Sequence, residues 1–354
     1  MEKYPDYLKG RGAQINTPNP YKKQRYETEE TDGLDEPLIP DPKTQFFYDR
    51  AKKILNKVTS SDIPANFSLN PYQGCEHGCV YCYARNTHPY WGYSAGLDFE
   101  TKIIVKENAP ELLRKELNHP KWKPDHVMFA GNTDIYQPIE RKEEITRECL
   151  KVFLEFGNPV GMITKNSLIL RDLDLLKAMA KNHLVHVFIT ITTLDEKLRR
   201  AMEPRTASAL RRLETVRQLA DNGIPVGVMM GPIIPGLSNH EIPELAKAAA
   251  EAGAQALGYS LVRLNGDVKD IFEDWITKNF PDRAEKVLSQ IRASRGGELG
   301  DSEFGRRMKG EGPMASSISD LFKLMKKKYF ADRKLPEYNV NAFRRPNDRQ
   351  LSLF

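Results

Sequence analysis

The stretch GCEHGCVYCYARNTHPY, residues 74–90, holds three of the four cysteines in this 354-residue chain. Cys75, Cys79 and Cys82 follow the pattern Cys-x3-Cys-x2-Cys, which lets one loop wrap a compact inorganic centre. Four cysteines are too few for a disulfide scaffold in a chain of this length. The stretch therefore indicates a metal or cluster site on a single loop.

Three thiols leave the identity of a fourth ligand open. A structural zinc ion takes four ligands, and His77 or His88 would complete a Cys3His site. A 4Fe–4S cluster normally takes four thiolates, and with three its last iron stays open to a ligand from outside the protein. Cys149, the fourth cysteine, lies on the apolar stripe of a predicted helix, as is typical of a small core residue. The alternative is that Cys149 is a functional thiol close to the site.

Composition and charge narrow the class of protein. The chain is 40% hydrophobic, which is enough to fill a core, and its net charge of +5 permits a polyanionic partner without requiring one. The first residues contain no apolar core of signal-peptide length, and no apolar run reaches the roughly 18 residues of a membrane-spanning helix. We therefore expect a cytoplasmic protein that makes no membrane contact and keeps its thiols reduced.

A strand–helix rhythm runs through the middle of the chain. The predicted strands, which are nearly continuous in apolar residues, are 66–72, 126–131, 159–165, 184–192, 224–230 and 256–263. Amphipathic helices are predicted between them, and those over 140–157 and 207–223 end at glycines. This alternation favours an α/β fold, either a partial or closed barrel or a doubly wound sheet. In each case the chemistry belongs at the carboxyl ends of the strands.

This alternation of strands and helices divides the chain into four segments. Residues 1–65 are predicted to form an irregular strap plus one helix, because residues 45–58 place apolar side chains on one helical face. Residues 66–265 contain the strand–helix units, and residues 266–330 form a helical extension. Residues 331–354 form a basic tail that ends in QLSLF.

The cysteine stretch resembles the motif of the radical S-adenosylmethionine (SAM) superfamily, Cys-x3-Cys-x-aromatic-Cys after the first strand. Tyr81 holds the aromatic position, and the resemblance extends over residues 66–265. It implies a partial (β/α)6 TIM-type barrel and a 4Fe–4S cluster on Cys75, Cys79 and Cys82, with SAM bound to the open iron. One electron from the cluster then cleaves SAM to a 5′-deoxyadenosyl radical, which abstracts hydrogen from the substrate. The resemblance also implies an electron donor of the flavodoxin or ferredoxin type.

The same resemblance implies that polar side chains after the strands contact SAM. Asn132 and Thr133 are at the position that contacts the methionyl amino group, and Lys165 is at the position for the carboxylate or a phosphate. Tyr81 lies beside the cluster. The positions for the ribose and the carboxylate hold Thr190, Thr192, Glu203 and Arg205. Ordinary structural roles are the alternatives: a polar turn, a solvated lysine at a strand end, and an ion pair at a helix start.

Four further segments resemble the spore photoproduct lyase branch of this superfamily, which is also described as DNA-repair photolyase-like. These segments are CVYCYAR, GNTDIYQPIE, TTLDEKLRRAMEP and GPIIPGL. The resemblance implies a lyase-like enzyme of DNA repair, with Tyr81 and Tyr83 as a hydrogen-atom relay and Cys149 as a candidate donor. Repair of a thymine dimer itself is not predicted, because Cys149 lies further from the motif than the donor of the lyase does.

Two features bear on partners. Lysine and arginine concentrate in RRMKGEG and KLMKKKYFADRK, a pattern that suits phosphate contact and is equally that of a solvated face. The final segment resembles the short peptide by which bacterial repair proteins dock on the DNA sliding clamp; its residues are Gln350, Leu351, Ser352, Leu353 and Phe354. The alternative is that these side chains pack on their own domain.

Three functions are consistent with these patterns. The first is a radical SAM enzyme that acts on nucleic acid, with DNA as the expected substrate. The second is a radical SAM enzyme that modifies RNA, a protein or a small molecule. The third is a non-catalytic metal-binding module that bridges DNA and a partner, and it predicts zinc or a cluster indifferent to SAM.

Overall fold

The computed structural model describes residues 2–3, 7–21 and 43–346. Its strands are β1 Glu2–Lys3, β2 Ile15–Asn16, β3 Gln45–Asp49, β4 Leu55–Lys57, β5 Phe67–Leu69, β6 Tyr72–Gln73, β7 Lys102–Lys106, β8 Val127–Phe129, β9 Val160–Thr164, β10 Val185–Thr190, β11 Val226–Ile233 and β12 Ala256–Leu261. Its helices are α1 Asp98–Thr101, α2 Ala109–Asn118, α3 Glu140–Glu143, α4 Ile145–Phe156, α5 Leu173–Ala180, α6 Glu196–Met202, α7 Ala209–Asp221, α8 Ile242–Glu251, α9 Val268–Asn279, α10 Pro281–Ala293 and α11 Gly312–Phe330. The QLSLF segment, residues 350–354, lies outside the described residues.

A mostly parallel sheet forms the frame of the molecule. In the described part of the chain its strand order is β12-β11-β10-β9-β8-β5-β4. The strands from β12 to β5 pair in parallel, and β4 pairs antiparallel with β5. The sheet does not close, because β12 and β4 are its two edges. The predicted partial (β/α)6 TIM-type barrel is confirmed, and each of its six predicted strands forms.

Local sequence signals set the ends of the barrel helices. Gly157, which directly follows α4, and Gly223, just beyond α7, have left-handed φ angles of 64° and 71°. That conformation favours glycine at the end of a helix. Ser208 begins α7 by accepting a hydrogen bond from the amide of Arg211 at 3.2 Å. No helix within the described ranges is long and apolar enough to cross a membrane.

The helix predicted over residues 45–58 is wrong. This segment instead forms β3, which pairs in parallel with β7, and β4 at the edge of the main sheet. The side chains of Asn108 and Glu116 accept hydrogen bonds from the amides of Ala51 and Ile54, at 3.1 and 2.7 Å. Backbone groups of the segment therefore find partners elsewhere in the chain, which the helical spacing of apolar residues does not reveal.

Two hydrophobic cores stabilise the barrel and the cysteine loop. The larger one lies between the sheet and the surrounding helices and includes Phe129 and Phe153. The second joins Cys79 and Tyr81 of the loop to Trp275 of α9 and to side chains of α10. Full burial of one large apolar side chain stabilises a fold by about 2 kcal/mol. Helices α9 and α10 therefore hold the loop in place from one side.

The segment around Tyr338 covers the amino end of the sheet. The Tyr338 ring stacks on His186 and His126, with centroid distances of 4.0 and 4.9 Å. A Cβ atom built on Gly161 would lie 2.9 Å from the Tyr338 hydroxyl, so the strand approaches the ring closely. Nε2 of His186 pairs with the Pro336 carbonyl at 2.8 Å. The basic tail is therefore packed against the barrel as far as the described residues extend.

We predict that Tyr338→Ala lowers the free energy of unfolding by about 2 kcal/mol, because it removes an aromatic stack and leaves a gap over Gly161. Urea denaturation followed by circular dichroism would measure the change. The matched control is Val340→Ala, because Val340 lies in the same segment and is 38% exposed. Equal losses in the two variants would contradict the packing role assigned to Tyr338.

Candidate active site

The loop with the three thiols follows β5 of the main sheet and comes directly after β6, which pairs antiparallel with β7 in a separate three-stranded sheet. Gly74 and Gly78 have left-handed φ angles of 80° and 69° on either side of Cys75. A Cβ atom at Gly74 would meet the Lys102 carbonyl at 2.9 Å, and one at Gly78 would meet the Glu100 carboxylate at 2.7 Å. Glycine is required at both positions, since each combines a left-handed φ with close contact. The loop therefore has a fixed shape before any ligand binds.

Neighbouring segments bind the loop through hydrogen bonds to its backbone and to the Glu76 side chain. The amide of Glu76 donates to Oε1 of Gln137 at 2.9 Å, and Oε2 of Glu76 accepts from the amide of Ile139 at 2.8 Å. The amide of Val80 donates to the Met202 carbonyl at 3.1 Å. The segment after β8 and the end of α6 thus meet on the cysteine loop.

His77 joins the loop to the ends of β8 and β9. Its Nδ1 lies 3.3 Å from Oδ2 of Asp134, and its Nε2 lies 3.3 Å from Nδ2 of Asn166. Asp134 also accepts hydrogen bonds from the Lys165 amide at 2.8 Å and the Thr164 hydroxyl at 2.7 Å. Burial alone would raise the pKa of Asp134, but His77 and these donors bring it to about 2. Asp134 is therefore a fixed negative charge beside the loop.

A buried ion pair binds the N-terminal strap to the outer side of the loop. Glu100 accepts hydrogen bonds from the amides of Gly12 and Ala13 at 3.0 and 2.8 Å, and it pairs with Arg85 at 2.5 Å. Nε of Arg85 donates to the Cys79 carbonyl at 2.9 Å. A Cβ atom at Gly12 would lie 1.8 Å from the Gly78 carbonyl oxygen, so only glycine allows this approach. The strap is therefore part of the site.

The thiols of the loop are free, and their environment suits a cationic centre. Cys75 and Cys79 are buried and Cys82 is partly exposed. Burial raises the pKa of Cys75 well above its usual range, with further contributions from Asp134 and the neighbouring thiols. Burial likewise raises the pKa of Cys79 to about 12, although Lys165 opposes the shift. Thiolates at these positions need a metal centre to stabilise them, so this donor set fits an iron–sulfur cluster.

Both candidate histidine ligands have other contacts. His77 is engaged with Asp134 and Asn166, as described above. His88 is fully buried between the rings of Tyr93 and Phe99, and its Nε2 lies 3.1 Å from the Asp98 carbonyl. Burial lowers the pKa of His88 to about 4, so the ring is neutral. Within the described residues, no three Cys, His, Asp or Glu side chains are arranged to hold a single metal ion.

Tyr81 belongs to a buried network beside the thiols. Its hydroxyl donates to Oε1 of Glu203, and the Thr192 hydroxyl donates to the same oxygen. The other carboxylate oxygen of Glu203 pairs with Arg212, and both side chains are almost fully buried. Burial raises the pKa of Glu203, but Arg212, Lys165 and the two hydroxyls bring it to about 2. Three predicted site residues, Tyr81, Thr192 and Glu203, therefore lie together.

Lys165 lies next to this network. Its Nζ is 5.9 Å from the centroid of the Tyr81 ring. Burial lowers the pKa of Lys165, but the negative forms of Cys79 and Glu203 outweigh it and raise the pKa above the usual value. Lys165 is therefore a charged ammonium group directed at the same region as Cys79 and Glu203.

The other residues predicted to bind SAM make contacts within the protein. Nδ2 of Asn132 donates to Oε1 of Gln73 at 3.0 Å, and the Thr133 hydroxyl donates to the Tyr72 carbonyl at 2.8 Å. Thr190 is buried at the end of β10, where its carbonyl accepts from Arg212 at 2.9 Å. Arg205 donates to the Gly10 carbonyl and lines a surface cleft along the strap. The partner of Glu203 is Arg212 and not Arg205.

The two remaining candidates lie in different environments. Tyr83 is 47% exposed, and its hydroxyl donates to the Gly131 carbonyl at 2.6 Å. Cys149 is fully buried in the larger core, where Glu140 and Glu148 add to the effect of burial and raise its pKa well above its usual range. The structure thus places Tyr83 at the mouth of the barrel and Cys149 among core side chains.

Several residues that build the site are not predicted from the sequence. Arg212 is the clearest example, and it carries a signal: it lies on the same helical face as the buried Val216 and Leu219. A charge on an apolar stripe is seldom buried without a partner. The pairing of Arg85 with Glu100 and that of His77 with Asp134 carry no comparable signal, because no helical or strand periodicity relates the two members of either pair.

Comparison with known proteins relates this site to a family. A family model described as the Radical SAM superfamily matches residues 69–249, about half of the chain. An uncharacterised protein of Mycobacterium tuberculosis is 32% identical over 244 residues, which cover 68% of this chain and 72% of that protein. Spore photoproduct lyase of Clostridium acetobutylicum is 24% identical over 249 residues, 68% of each chain.

A solved structure shares the fold. Spore photoproduct lyase complexed with dinucleoside spore photoproduct superposes with a TM-score of 0.59 at 18% identity, covering 80% of this chain and 79% of that chain. The chain therefore belongs to the radical SAM superfamily and is an enzyme of that class.

Proposed function

We propose that this enzyme cleaves S-adenosylmethionine reductively and uses the resulting 5′-deoxyadenosyl radical on nucleic acid, with DNA as the substrate. The observation that carries the proposal is the loop of three free thiols beside the Tyr81–Glu203 network at the carboxyl ends of the strands. Kinship to spore photoproduct lyase and the net charge of +5 support the DNA substrate.

Cys75, Cys79 and Cys82 would hold a 4Fe–4S cluster, and the chemistry supplied there would be one-electron cleavage of the sulfonium C–S bond of SAM. His77, Asp134 and the strap keep the loop rigid. Helices α9 and α10 exclude water from one side of the loop. A flavodoxin or ferredoxin is the proposed electron donor, and we place the enzyme in the cytoplasm, where free thiols stay reduced.

Lys165 and Glu203 would orient SAM. The Lys165 ammonium suits the methionyl carboxylate, because the two form a charge-assisted hydrogen bond. Glu203 is held ionised by Arg212 and accepts hydrogen bonds from the Tyr81 and Thr192 hydroxyls, so it would orient these two side chains toward the ribose. Tyr81 fixes the position of Glu203 through its hydroxyl, a positioning role that accompanies its proposed place in a hydrogen-atom relay with Tyr83.

We predict that Cys75→Ala, Cys79→Ala and Cys82→Ala each lose most of the bound iron and all formation of 5′-deoxyadenosine, since each removes one of three cluster ligands. Anaerobic reconstitution, reduction with dithionite and chromatography of the products would measure both quantities. Cys149→Ala is the matched control and should keep the iron and the deoxyadenosine. A wild-type protein that binds stoichiometric zinc and makes no deoxyadenosine would overturn the proposed function.

We predict that Lys165→Met weakens SAM binding about tenfold while iron content is unchanged, because an ammonium group that pairs with the carboxylate is lost. Equilibrium dialysis with labelled SAM on the reconstituted protein would measure the dissociation constant. Lys177→Met removes an equal charge from the outer helix α5 and should leave SAM binding unaltered. Identical dissociation constants for the two variants would remove Lys165 from the SAM site.

A further inference from the structure

The open side of the barrel is bridged by a loop and not by strand pairing. Asp62, in the loop between β4 and β5, accepts hydrogen bonds from the Gly305 amide at 2.8 Å and from Nε of Arg307 at 2.6 Å. Arg307 also donates to the Ser60 hydroxyl. On the other edge, the amide of Leu261 in β12 donates to the Met308 carbonyl at 2.9 Å. The segment around residues 304–308 therefore spans the gap between the two edges.

Arg263 lies at this gap without a carboxylate. It follows β12, and its guanidinium lies 5.5 Å from the centroid of the Tyr83 ring. Within the described residues no acidic side chain lies within ion-pair distance of it, although Arg263 is partly buried. Burial lowers the pKa of Arg263, and Arg307 lowers it further. Arg263 therefore lies beside a second cation, and its guanidinium has five donors that water or a bound anion can occupy.

The neighbouring arginines, unlike Arg263, have carboxylate partners. Arg306 pairs with Asp301, Glu303 and Glu311. Arg307 pairs with Asp62. An anion from outside the protein would supply Arg263 with acceptors. Arg307 binds Asp62 and Ser60 through Nε and Nη2, so its Nη1 is a second donor for a phosphate.

Exposed aromatic rings flank the two arginines. Phe304 is 54% exposed and its ring lies 4.4 Å from the Arg307 guanidinium, whereas Tyr83 is 47% exposed beside Arg263. Phosphate-binding cations interleaved with exposed rings are the pattern of single-stranded nucleic acid sites, where bases stack on the rings. A phosphorylated peptide would use the cations but would leave the rings without a partner.

We propose that Arg263, Arg307 and Phe304 form a nucleic acid subsite on the open side of the barrel, in which the arginines bind a backbone phosphate and Phe304 stacks an adjacent base. The subsite rests on the proposed function, because it presents a nucleotide to Tyr83, one residue beyond Cys82. It also assigns a purpose to the RRMKGEG segment, which contains Arg307 and is held in place by Arg295, whose Nη1 donates to the Arg307 carbonyl at 2.8 Å.

The test measures binding of a short single-stranded DNA oligonucleotide to the reconstituted enzyme with SAM, by fluorescence anisotropy under anaerobic conditions. We expect Arg263→Gln and Phe304→Ala each to raise the dissociation constant about tenfold. Arg263→Gln should also reduce the salt dependence by about one counterion, because one phosphate contact is lost. Arg217→Gln, on the outer helix α7 and paired with Glu214, removes the same charge and should bind as the wild type does.

Formation of 5′-deoxyadenosine without substrate separates this subsite from the proposed function. The three variants should make it at the wild-type rate, because the subsite does not touch the thiols. If Arg263→Gln binds the oligonucleotide as tightly as Arg217→Gln does, the subsite is refuted while the radical chemistry stands. Tighter binding of a phosphoserine peptide than of the oligonucleotide would also refute it. A wild-type enzyme without deoxyadenosine refutes the proposed function instead.

Discussion

The buried pair of Arg85 and Glu100 holds together the parts of the molecule on which the site depends. Glu100 accepts the strap amides of Gly12 and Ala13, and Arg85 donates to the Cys79 carbonyl. An unpaired charge at such a depth costs several kcal/mol, so neither side chain is stable without the other. Strap, loop and α1 therefore form one unit, and the shape of the cysteine loop depends on residues that precede it by more than sixty positions.

Two more buried pairs of charged or polar side chains lie around the loop. Glu203 is neutralised by Arg212, and Asp134 lies against His77. Each pair costs desolvation energy that a hydrophobic replacement would avoid, so stability alone does not explain them. What they provide is a set of charges fixed in position near the three thiols. Fixed charges in a site shielded from water act strongly on a bound molecule, because little reorganisation is needed.

The barrel and the thiols could be predicted from the sequence because both rest on local patterns. Runs of apolar residues mark the strands, and Cys75, Cys79 and Cys82 lie within eight positions of one another. The helix expected over residues 45–58 failed because Asn108 and Glu116 satisfy its backbone from a distance. Pairs such as Glu203 with Arg212 depend on how elements pack, and helical spacing places only one member of the pair on a buried face.

The cover that Tyr338 forms over the amino end of the sheet orders events during synthesis. Strands β8, β9 and β10 are complete by residue 190, whereas the ring that packs on His126 and His186 is made almost 150 residues later. In the growing chain the amino ends of these strands therefore stay exposed to water until residue 338 has been made. Pairing of residues so distant in sequence is slow, because a long loop must close first. Docking of this segment is the step that covers the amino end of the sheet.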